Sequence, residues 1–112
     1  MQIQQKKVDN ILIVKPLEKR IDASTATEFK GKIVDLVNSG NTKIVLDLAN
    51  VDFIDSSGLG AIVSCLKTIG NNGDLVISGI QETVMSLFRL TRMNRVFQIF
   101  PSEQEAIQAL SR

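Results

Sequence analysis

The 112-residue sequence contains no histidine, tryptophan or tyrosine and only one cysteine. Without histidine there is no Ser-His-Asp or Cys-His catalytic group, no histidine metal ligand and no histidine to carry a phosphoryl group. A single cysteine cannot form an intrachain disulfide, which favours a reducing compartment. Aromatic residues make up 4% of the chain, all of them phenylalanine, so a base-stacking surface for nucleic acid is not expected. These absences disfavour an enzyme and a metal protein.

The charge and hydropathy of the chain argue against two classes of partner. The formal net charge is +1, so no electrostatic attraction to nucleic acid or to an anionic membrane is expected. No apolar run approaches the ~18 residues that cross a bilayer, and no signal-peptide pattern is present. The Walker phosphate loop, the G-x-S-x-G elbow and the dinucleotide fingerprint are missing, and no cofactor is expected. We predict a cytoplasmic, non-enzymatic protein that binds neither nucleic acid nor a membrane directly.

Strands and helices are predicted to alternate along the chain. Hydrophobic residues make up 44% and charged residues 22%, which is typical of one globular domain, here residues 1–112. Segments 3–8 and 11–17 are predicted strands joined by a tight turn at Asp9-Asn10. Further strands are predicted at 43–48, 74–78 and 96–100, and helices at 24–38, 57–69, 81–91 and from about 102. This pattern predicts an α/β fold with a mixed, mostly parallel sheet of about four to five strands and about four helices.

Two motifs predict how helices begin. Thr25-x-x-Glu28 and Ser102-x-x-Glu105 both match the capping box, in which the first hydroxyl accepts a backbone N–H of the first turn. Gly31 lies inside the first predicted helix, where glycine costs about 1 kcal/mol relative to alanine. A close backbone contact at Gly31 is one explanation for that cost.

The most informative segment is 52–60, Asp-Phe-Ile-Asp-Ser-Ser-Gly-Leu-Gly, which joins an apolar strand to an amphipathic helix. Ser56 and Ser57 therefore lie at a loop-to-helix junction, where free backbone N–H groups and the helix dipole favour an anionic oxygen. Such a site can hold a phosphate as a ligand or as a covalent modification. Ser56 alternatively serves only as the N-cap of the helix, worth about 1 kcal/mol.

The chain resembles the STAS domain of the anti-sigma factor antagonist type over nearly its full length. The specific match is the Asp-Ser-Ser-Gly-Leu-Gly run at 55–60, and segments 21–26, 44–48 and 102–107 support it. The resemblance implies that an anti-sigma factor serine/threonine kinase phosphorylates Ser56, the first serine after Asp55. It further implies that the unphosphorylated protein binds this kinase and so releases a sigma factor, and that a serine phosphatase restores it after phosphorylation.

The resemblance also implies a partner-binding surface around Ser56. Its predicted members are Asp22, Asp55, Ser57, Gly58 and Leu59. Four of them have an ordinary structural role as an alternative: the aspartates as turn and cap residues, Ser57 as a first-turn residue, and Gly58 as a site of tight helix–sheet packing. The sequence departs from the family pattern at Lys19, where glycine is frequent, so the loop at 17–20 is expected to differ in shape.

Two other functions compete with the phosphorylation switch. One is a non-switching STAS interaction module, such as a subunit associated with a transporter ATPase or a component of a signalling assembly. The other is an enzyme or nucleotide-binding protein that uses the same helix N-terminus for a phosphate ligand. The Asp-Ser-Ser-Gly frame favours the switch over the first. The missing general base, metal cluster and phosphate loop disfavour the second.

Overall fold

The first two strands form the predicted hairpin. In the computed structural model, which describes residues 1–111, β1 (Ile3–Val8) pairs antiparallel with β2 (Ile11–Pro16). Asp9 in the connecting turn has a φ of 55°, in the left-handed region that aspartate tolerates better than most residues. Pro16 is the last residue of β2, where its missing N–H costs no ladder hydrogen bond.

The remaining chain follows the predicted order of strands and helices and adds two short strands, at 20–21 and 53–54, that were not predicted. The later strands are β3 (Arg20–Ile21), β4 (Lys43–Asp47), β5 (Phe53–Ile54), β6 (Asp74–Ser78) and β7 (Ile99–Phe100). The helices are α1 (Ala26–Asn38), α2 (Ser56–Ile69), α3 (Glu82–Leu90) and α4 (Glu103–Leu110). The main sheet has the order β1-β2-β4-β6-β7 and is parallel except for the first pair, while β3 and β5 form a small parallel sheet. The predicted α/β fold class is confirmed.

The main sheet is buried on both faces. Alternate residues of each strand point to opposite sides, so Leu12 and Val14 join the core beneath α1, α2 and α3, whereas Ile11 and Ile13 pack with α4. This two-sided burial explains why β4 has a near-continuous apolar sequence instead of an alternating one. Within residues 1–111, no helix combines the length and the apolar composition that crossing a bilayer requires.

The predicted helix caps are correct at one helix and wrong at another. Ser102 is the N-cap of α4, and its Oγ accepts the Glu105 backbone N–H at 3.3 Å. Thr25 is the N-cap of α1 but makes no side-chain cap bond, because its Oγ1 instead accepts the Asp22 backbone N–H at 3.0 Å. The capping box at Thr25 was therefore a wrong prediction: the hydroxyl holds the preceding loop.

Two further predictions need correction. β7 begins at Ile99, three residues later than predicted, because the Val96 and Phe97 N–H groups donate to the Met93 oxygen and continue the 3-10 turn at 93–95. A close backbone contact at Gly31 is also wrong, since a Cβ built at this position meets no heavy atom within 4 Å. Gly31 lies on the exposed side of α1, and nothing in the structure explains its choice.

Candidate functional site

The junction between β5 and α2 is built around Asp55. This residue is the N-cap of α2, with extended backbone (φ −96°, ψ −174°), and its Oδ1 accepts the Gly58 backbone N–H at 2.9 Å. The bond satisfies one of the N–H groups that every helix leaves free at its first turn. Of the structural roles that the sequence left open, that of Asp55 as a cap residue is therefore confirmed, and that of Ser56 as the N-cap is wrong. Ser56 is the first helical residue, one position further on.

Gly58 allows α2 to approach β3. A Cβ at this position would lie 2.0 Å from the backbone oxygen of Ile21 and 3.0 Å from a methyl carbon of Ile54. Of the two roles that the sequence left open for Gly58, close packing of helix against strand is therefore present in the structure. Leu59, the next residue, is only 8% exposed and belongs to the core. Both residues hold the junction in place from below the surface.

Ser56 and Ser57 are exposed at the first turn of α2. Within residues 1–111 neither hydroxyl takes part in a hydrogen bond, so the cap does not depend on them. The first turn carries no acidic residue; the carboxylate of Asp55 lies just before it. The Ser56 hydroxyl thus stands free at the positive end of a 14-residue helix, where an added anionic group is favoured.

The loop that contains Asp22 is joined to this junction. β3 and β5 pair in parallel, Ile21 opposite Ile54, so the loops that follow them leave the same edge. Asp55 then connects the loops directly, since its Oδ2 accepts the Ala23 backbone N–H at 3.1 Å. One carboxylate therefore caps α2 and also holds the loop before α1. The structure brings Asp22, Asp55 and the two serines to one surface, as the sequence predicts.

Asp22 is held as a carboxylate by its neighbours. Its Oδ1 accepts hydrogen bonds from Ser24 Oγ at 2.6 Å and from the Ser24 N–H at 3.0 Å, and Arg20 Nε lies 3.3 Å from Oδ2. The Ser24 hydroxyl is the largest cause of a lowered pKa at Asp22, with Arg20 a smaller one. Asp22 therefore adds a negative charge to the surface near Ser56 at neutral pH.

An apolar rim that was not predicted from the sequence lies beside the junction. Phe53 is 39% exposed and Leu17 is 44% exposed, and the Arg20 guanidinium lies 4.1 Å from the centre of the Phe53 ring. Because Ile54 points into the core, its neighbour Phe53 must face outward, and this alternation was the available signal. A shallow hollow of about 370 Å³ lies beside Asp22 and includes Leu17.

The predicted departure at Lys19 lies on the same rim. Lys19 is exposed, and its backbone oxygen accepts the N–H of Asp52 at 2.9 Å and that of Phe53 at 3.3 Å. The loop at 17–20 is therefore tied by its backbone to the segment that leads into α2. Its side chains remain available to solvent or to a partner.

The site offers no group for metal or thiol chemistry among the described residues. In residues 1–111 no set of three or more Cys, Asp or Glu side chains is arranged to hold a metal ion. Cys65 is buried in α2, and burial raises the pKa of its thiol to about 11, which leaves it protonated and unreactive. What the arrangement provides is an exposed hydroxyl at a helix N-terminus, directly after the carboxylate of Asp55.

Residues 2–106 match the STAS domain family, and the chain belongs to it. A candidate anti-sigma factor antagonist of Thermotoga maritima is 34% identical over 107 residues, which is 94% of each chain. The anti-sigma-B factor antagonist of Staphylococcus epidermidis is 31% identical over 80 residues, 70% of this chain and 74% of that one. A crystal structure of a Thermotoga maritima candidate antagonist has a TM-score of 0.91 at 32% identity and covers 98% of this chain and 95% of its own.

Proposed function

We propose that this STAS-family protein is an anti-sigma factor antagonist whose binding to an anti-sigma factor serine kinase is switched by phosphorylation of Ser56. The names of its relatives support the general role. The observation that carries the switch is the free, exposed Ser56 hydroxyl at the first position of α2, beside a cap that another residue supplies. In this proposal the unphosphorylated protein occupies the kinase, and the sigma factor is released.

Because Asp55 caps the helix and Ser56 does not, Ser56 is suited to a reversible modification. If Ser56 were the cap, phosphorylation would alter a hydrogen bond on which the helix depends. Because Asp55 holds the Gly58 N–H, the Ser56 hydroxyl can be modified while the helix start stays intact. A phosphate at the first turn also meets the favourable end of the helix dipole. The fold is therefore expected to survive both the addition and the removal of phosphate.

Phosphorylation would change the charge of the binding surface strongly. A phosphoserine adds about −1.5 to −2 charge at neutral pH. Asp55 is adjacent, and Asp22 lies in the loop that Asp55 holds, so the new charge joins two existing carboxylates. A kinase surface that accepts a neutral hydroxyl would then have to bury unpaired charge, at a cost of several kcal/mol. Binding is lost by electrostatics without a large conformational change, and a serine phosphatase restores it.

The surroundings of the two serines differ. Ser57 lines a shallow groove of about 270 Å³ between α1 and α2, with Lys30 and Ser64 further along it. Ser56 directly follows the cap residue Asp55. We assign phosphorylation to Ser56 and partner contact to Ser57, Asp22 and Asp55, with the buried residues Gly58 and Leu59 supporting this surface from beneath.

The test is incubation with ATP and a purified anti-sigma factor serine kinase that binds this protein, followed by mass spectrometry. Wild type is expected to gain one phosphate on Ser56, Ser57→Ala to gain one as well, and Ser56→Ala to gain none. Label on Ser57 in Ser56→Ala, at the wild-type rate, would overturn the assignment. No phosphorylation of any form, with intact binding to the kinase, would favour a non-switching STAS interaction module.

A binding titration tests the electrostatic step separately. Ser56→Asp adds one negative charge and should weaken binding to the nucleotide-bound kinase by about 2 kcal/mol, while its melting curve stays close to wild type. Asp22→Lys should likewise impair binding without unfolding the protein. Equal affinity of wild type and Ser56→Asp for the kinase would contradict the proposal that negative charge at Ser56 weakens binding.

A further inference from the structure

A second exposed surface lies at the far end of α3 from the Ser56 site. α3 begins beside that site, where Thr83 Oγ1 donates to the Asp52 backbone oxygen at 3.1 Å. Its nine residues then carry the chain about 13 Å away, at 1.5 Å per residue. The segment after α3 reaches the opposite edge of the main sheet, where β7 starts. A molecule bound there need not touch Ser56.

The segment around this end is held rigidly by two buried phenylalanines. Phe88 and Phe97 are 0% and 4% exposed, and their rings meet edge to face with centroids 5.9 Å apart. Thr91 Oγ1 donates to the Leu87 backbone oxygen at 2.8 Å, and the Phe97 N–H donates to the Met93 oxygen at 3.0 Å. The residues between these anchors are displayed in one arrangement, which lowers the entropy that a partner must overcome on binding.

The exposed residues of this segment combine apolar and cationic side chains. Leu90 is 83% exposed and Val96 is 51% exposed. Three arginines accompany them, and we call the set the arginine patch: Arg89, Leu90, Arg92, Arg95 and Val96. Three of the five arginines of the chain thus fall within seven residues, and no aspartate or glutamate occurs from 83 to 102. A chain of net charge +1 concentrates positive charge here.

Two of the three guanidinium groups have no partner among residues 1–111. Arg89 is bound to Glu82 two helical turns away. Within the described part of the chain, Arg92 and Arg95 make no salt bridge or side-chain hydrogen bond. Guanidinium groups bind carboxylates in pairs of parallel hydrogen bonds, and arginine is enriched in protein interfaces. Arg92 and Arg95 are therefore available to bind the carboxylates of another molecule.

The backbone at Arg92 is strained for the residue it carries. Arg92 has φ 62° and ψ 18°, the left-handed conformation, directly after the C-cap of α3. Glycine is the usual residue at that position because it has no Cβ to clash. The sequence therefore gives up folding free energy to place a guanidinium at this point. Backbone strain of this kind occurs at functional sites.

We propose that the arginine patch binds an acidic segment of a partner protein, one in which carboxylates surround an apolar side chain. The carboxylates would pair with Arg92 and Arg95, and the apolar side chain would pack between Leu90 and Val96. Nucleic acid is disfavoured because its backbone offers no apolar group to cover Leu90. A membrane surface is disfavoured because recognition of anionic lipid uses clusters of four to eight cations.

The experiment uses the full-length protein and a synthetic 15-residue peptide in which glutamates and aspartates flank two leucines four residues apart. A second peptide with both leucines replaced by serine is the charge-matched control. Titration followed by amide chemical shifts should show changes confined to residues 88–98, and the leucine peptide should bind at least tenfold more tightly than the serine peptide. Doubling the salt concentration should weaken binding.

Arg92→Gly separates binding from folding. Because glycine relieves the left-handed strain, this variant should melt at a higher temperature than wild type while binding the leucine peptide at least tenfold more weakly. Lys32→Ala, which removes an exposed cation on α1, should bind like wild type. Leu90→Ser should weaken the leucine peptide only.

Three outcomes would overturn the proposal. The first is equal affinity of Arg92→Gly and wild type. The second is chemical-shift change centred on residues 20–25 and 53–60 instead of the arginine patch. The third is binding of duplex DNA or of phosphatidylserine vesicles with no binding of either peptide, which would assign the patch to a different class of partner.

Discussion

Two aspartates at the ends of consecutive strands have opposite surroundings. Asp55 follows β5, is half-buried, and accepts two backbone N–H groups, those of Gly58 and Ala23. Asp47 ends β4, is 5% exposed, and accepts one backbone N–H, that of Ala49 at 2.9 Å. The carboxyl group of Asp47 also shares a hydrogen bond with that of Glu103 at the start of α4. Two donors suit a carboxylate, whereas burial beside a second carboxylate suits a carboxylic acid.

The pKa of Asp47 reflects its buried position beside Glu103. Burial is the main cause that raises the pKa of Asp47 to about 6, and the hydrogen bond to Glu103 raises it further. The same hydrogen bond lowers the pKa of Glu103, which accepts it. Two lysines have smaller effects. Lys6, whose Nζ lies 3.4 Å from Glu103 Oε1, lowers the pKa of Glu103, and Lys15 lowers the pKa of both carboxyl groups. Beside Asp47 lies Ser78, whose buried Oγ has no hydrogen-bond partner among the described residues. The comparison shows that environment, more than residue type, decides what an aspartate does.

Each aspartate has a glycine packed close to it. Substituting these glycines should produce the largest change in the free energy of unfolding. Gly58→Ala would place a Cβ 2.0 Å from the Ile21 backbone oxygen, so the free energy of unfolding should fall by about 3 kcal/mol or more. Gly79→Ala places its Cβ 3.0 Å from Asp47 Oδ1 at a φ of 66°, and should cost about 1–2 kcal/mol. Urea unfolding measures both.

Gly60→Ala is the matched control in the same helix. No heavy atom lies within 4 Å of a Cβ there, so alanine should stabilise α2 by about 0.5–1 kcal/mol. If Gly58→Ala and Gly60→Ala have the same effect, helix propensity explains both and the contact with Ile21 does not constrain the junction.

The second prediction concerns the contribution of Asp47 to the pH dependence of stability. Because its folded pKa is raised from 3.8 to about 6, the stabilisation from its proton is full below pH 3.8 and is lost as pH rises through 6. At pH 7 the ionised group costs the fold about 2–3 kcal/mol, at 1.36 kcal/mol per pKa unit. Asp47→Asn should therefore be more stable than wild type at pH 7, and the advantage should shrink toward pH 4.

Unfolding of both forms from pH 4 to 8 checks this. Glu103→Gln should also flatten the pH dependence, since it removes the negative neighbour. The lowered pKa of Glu103 acts at lower pH, where its stabilisation is lost as the carboxylate becomes protonated. An Asp47→Asn difference that is the same at pH 4 and pH 8 would show that the proton plays no part.

The third effect applies the same substitution to the other aspartate. Asp55→Asn keeps one oxygen but turns the other into an N–H₂ group, which cannot accept from a backbone N–H. One of the two donors, Gly58 or Ala23, is left unpaired in either amide orientation, so the protein should lose about 1–2 kcal/mol. Asp→Asn should thus destabilise at 55 and stabilise at 47 at neutral pH. A change of the same sign at both sites would refute the comparison.

The strand–helix pattern could be predicted because apolar periodicity encodes it locally. The junction at 52–60 was found by the same signal, with its exposed serines. The choice of Asp55 over Ser56 as N-cap could not be predicted, because both residue types cap helices well. The two alternatives differ only by a shift of one residue in the helix start. The reason for Gly58 depends on where β3 passes, and the pairing of Asp47 with Glu103 joins residues far apart in the chain. Such facts belong to tertiary structure.

The smallest change in the free energy of unfolding is expected for substitution of Ser56, the proposed phosphorylation site. The Ser56 hydroxyl makes no hydrogen bond within residues 1–111, and Asp55 supplies the cap. Ser56→Ala should therefore change the free energy of unfolding by less than about 0.5 kcal/mol, as exposed substitutions usually do. Thermal and urea unfolding beside Asp55→Asn measure the contrast. A loss of about 1 kcal/mol, equal to that of Asp55→Asn, would mean that Ser56 shares the cap, and phosphorylation would then disturb the helix start as well as the charge of the surface.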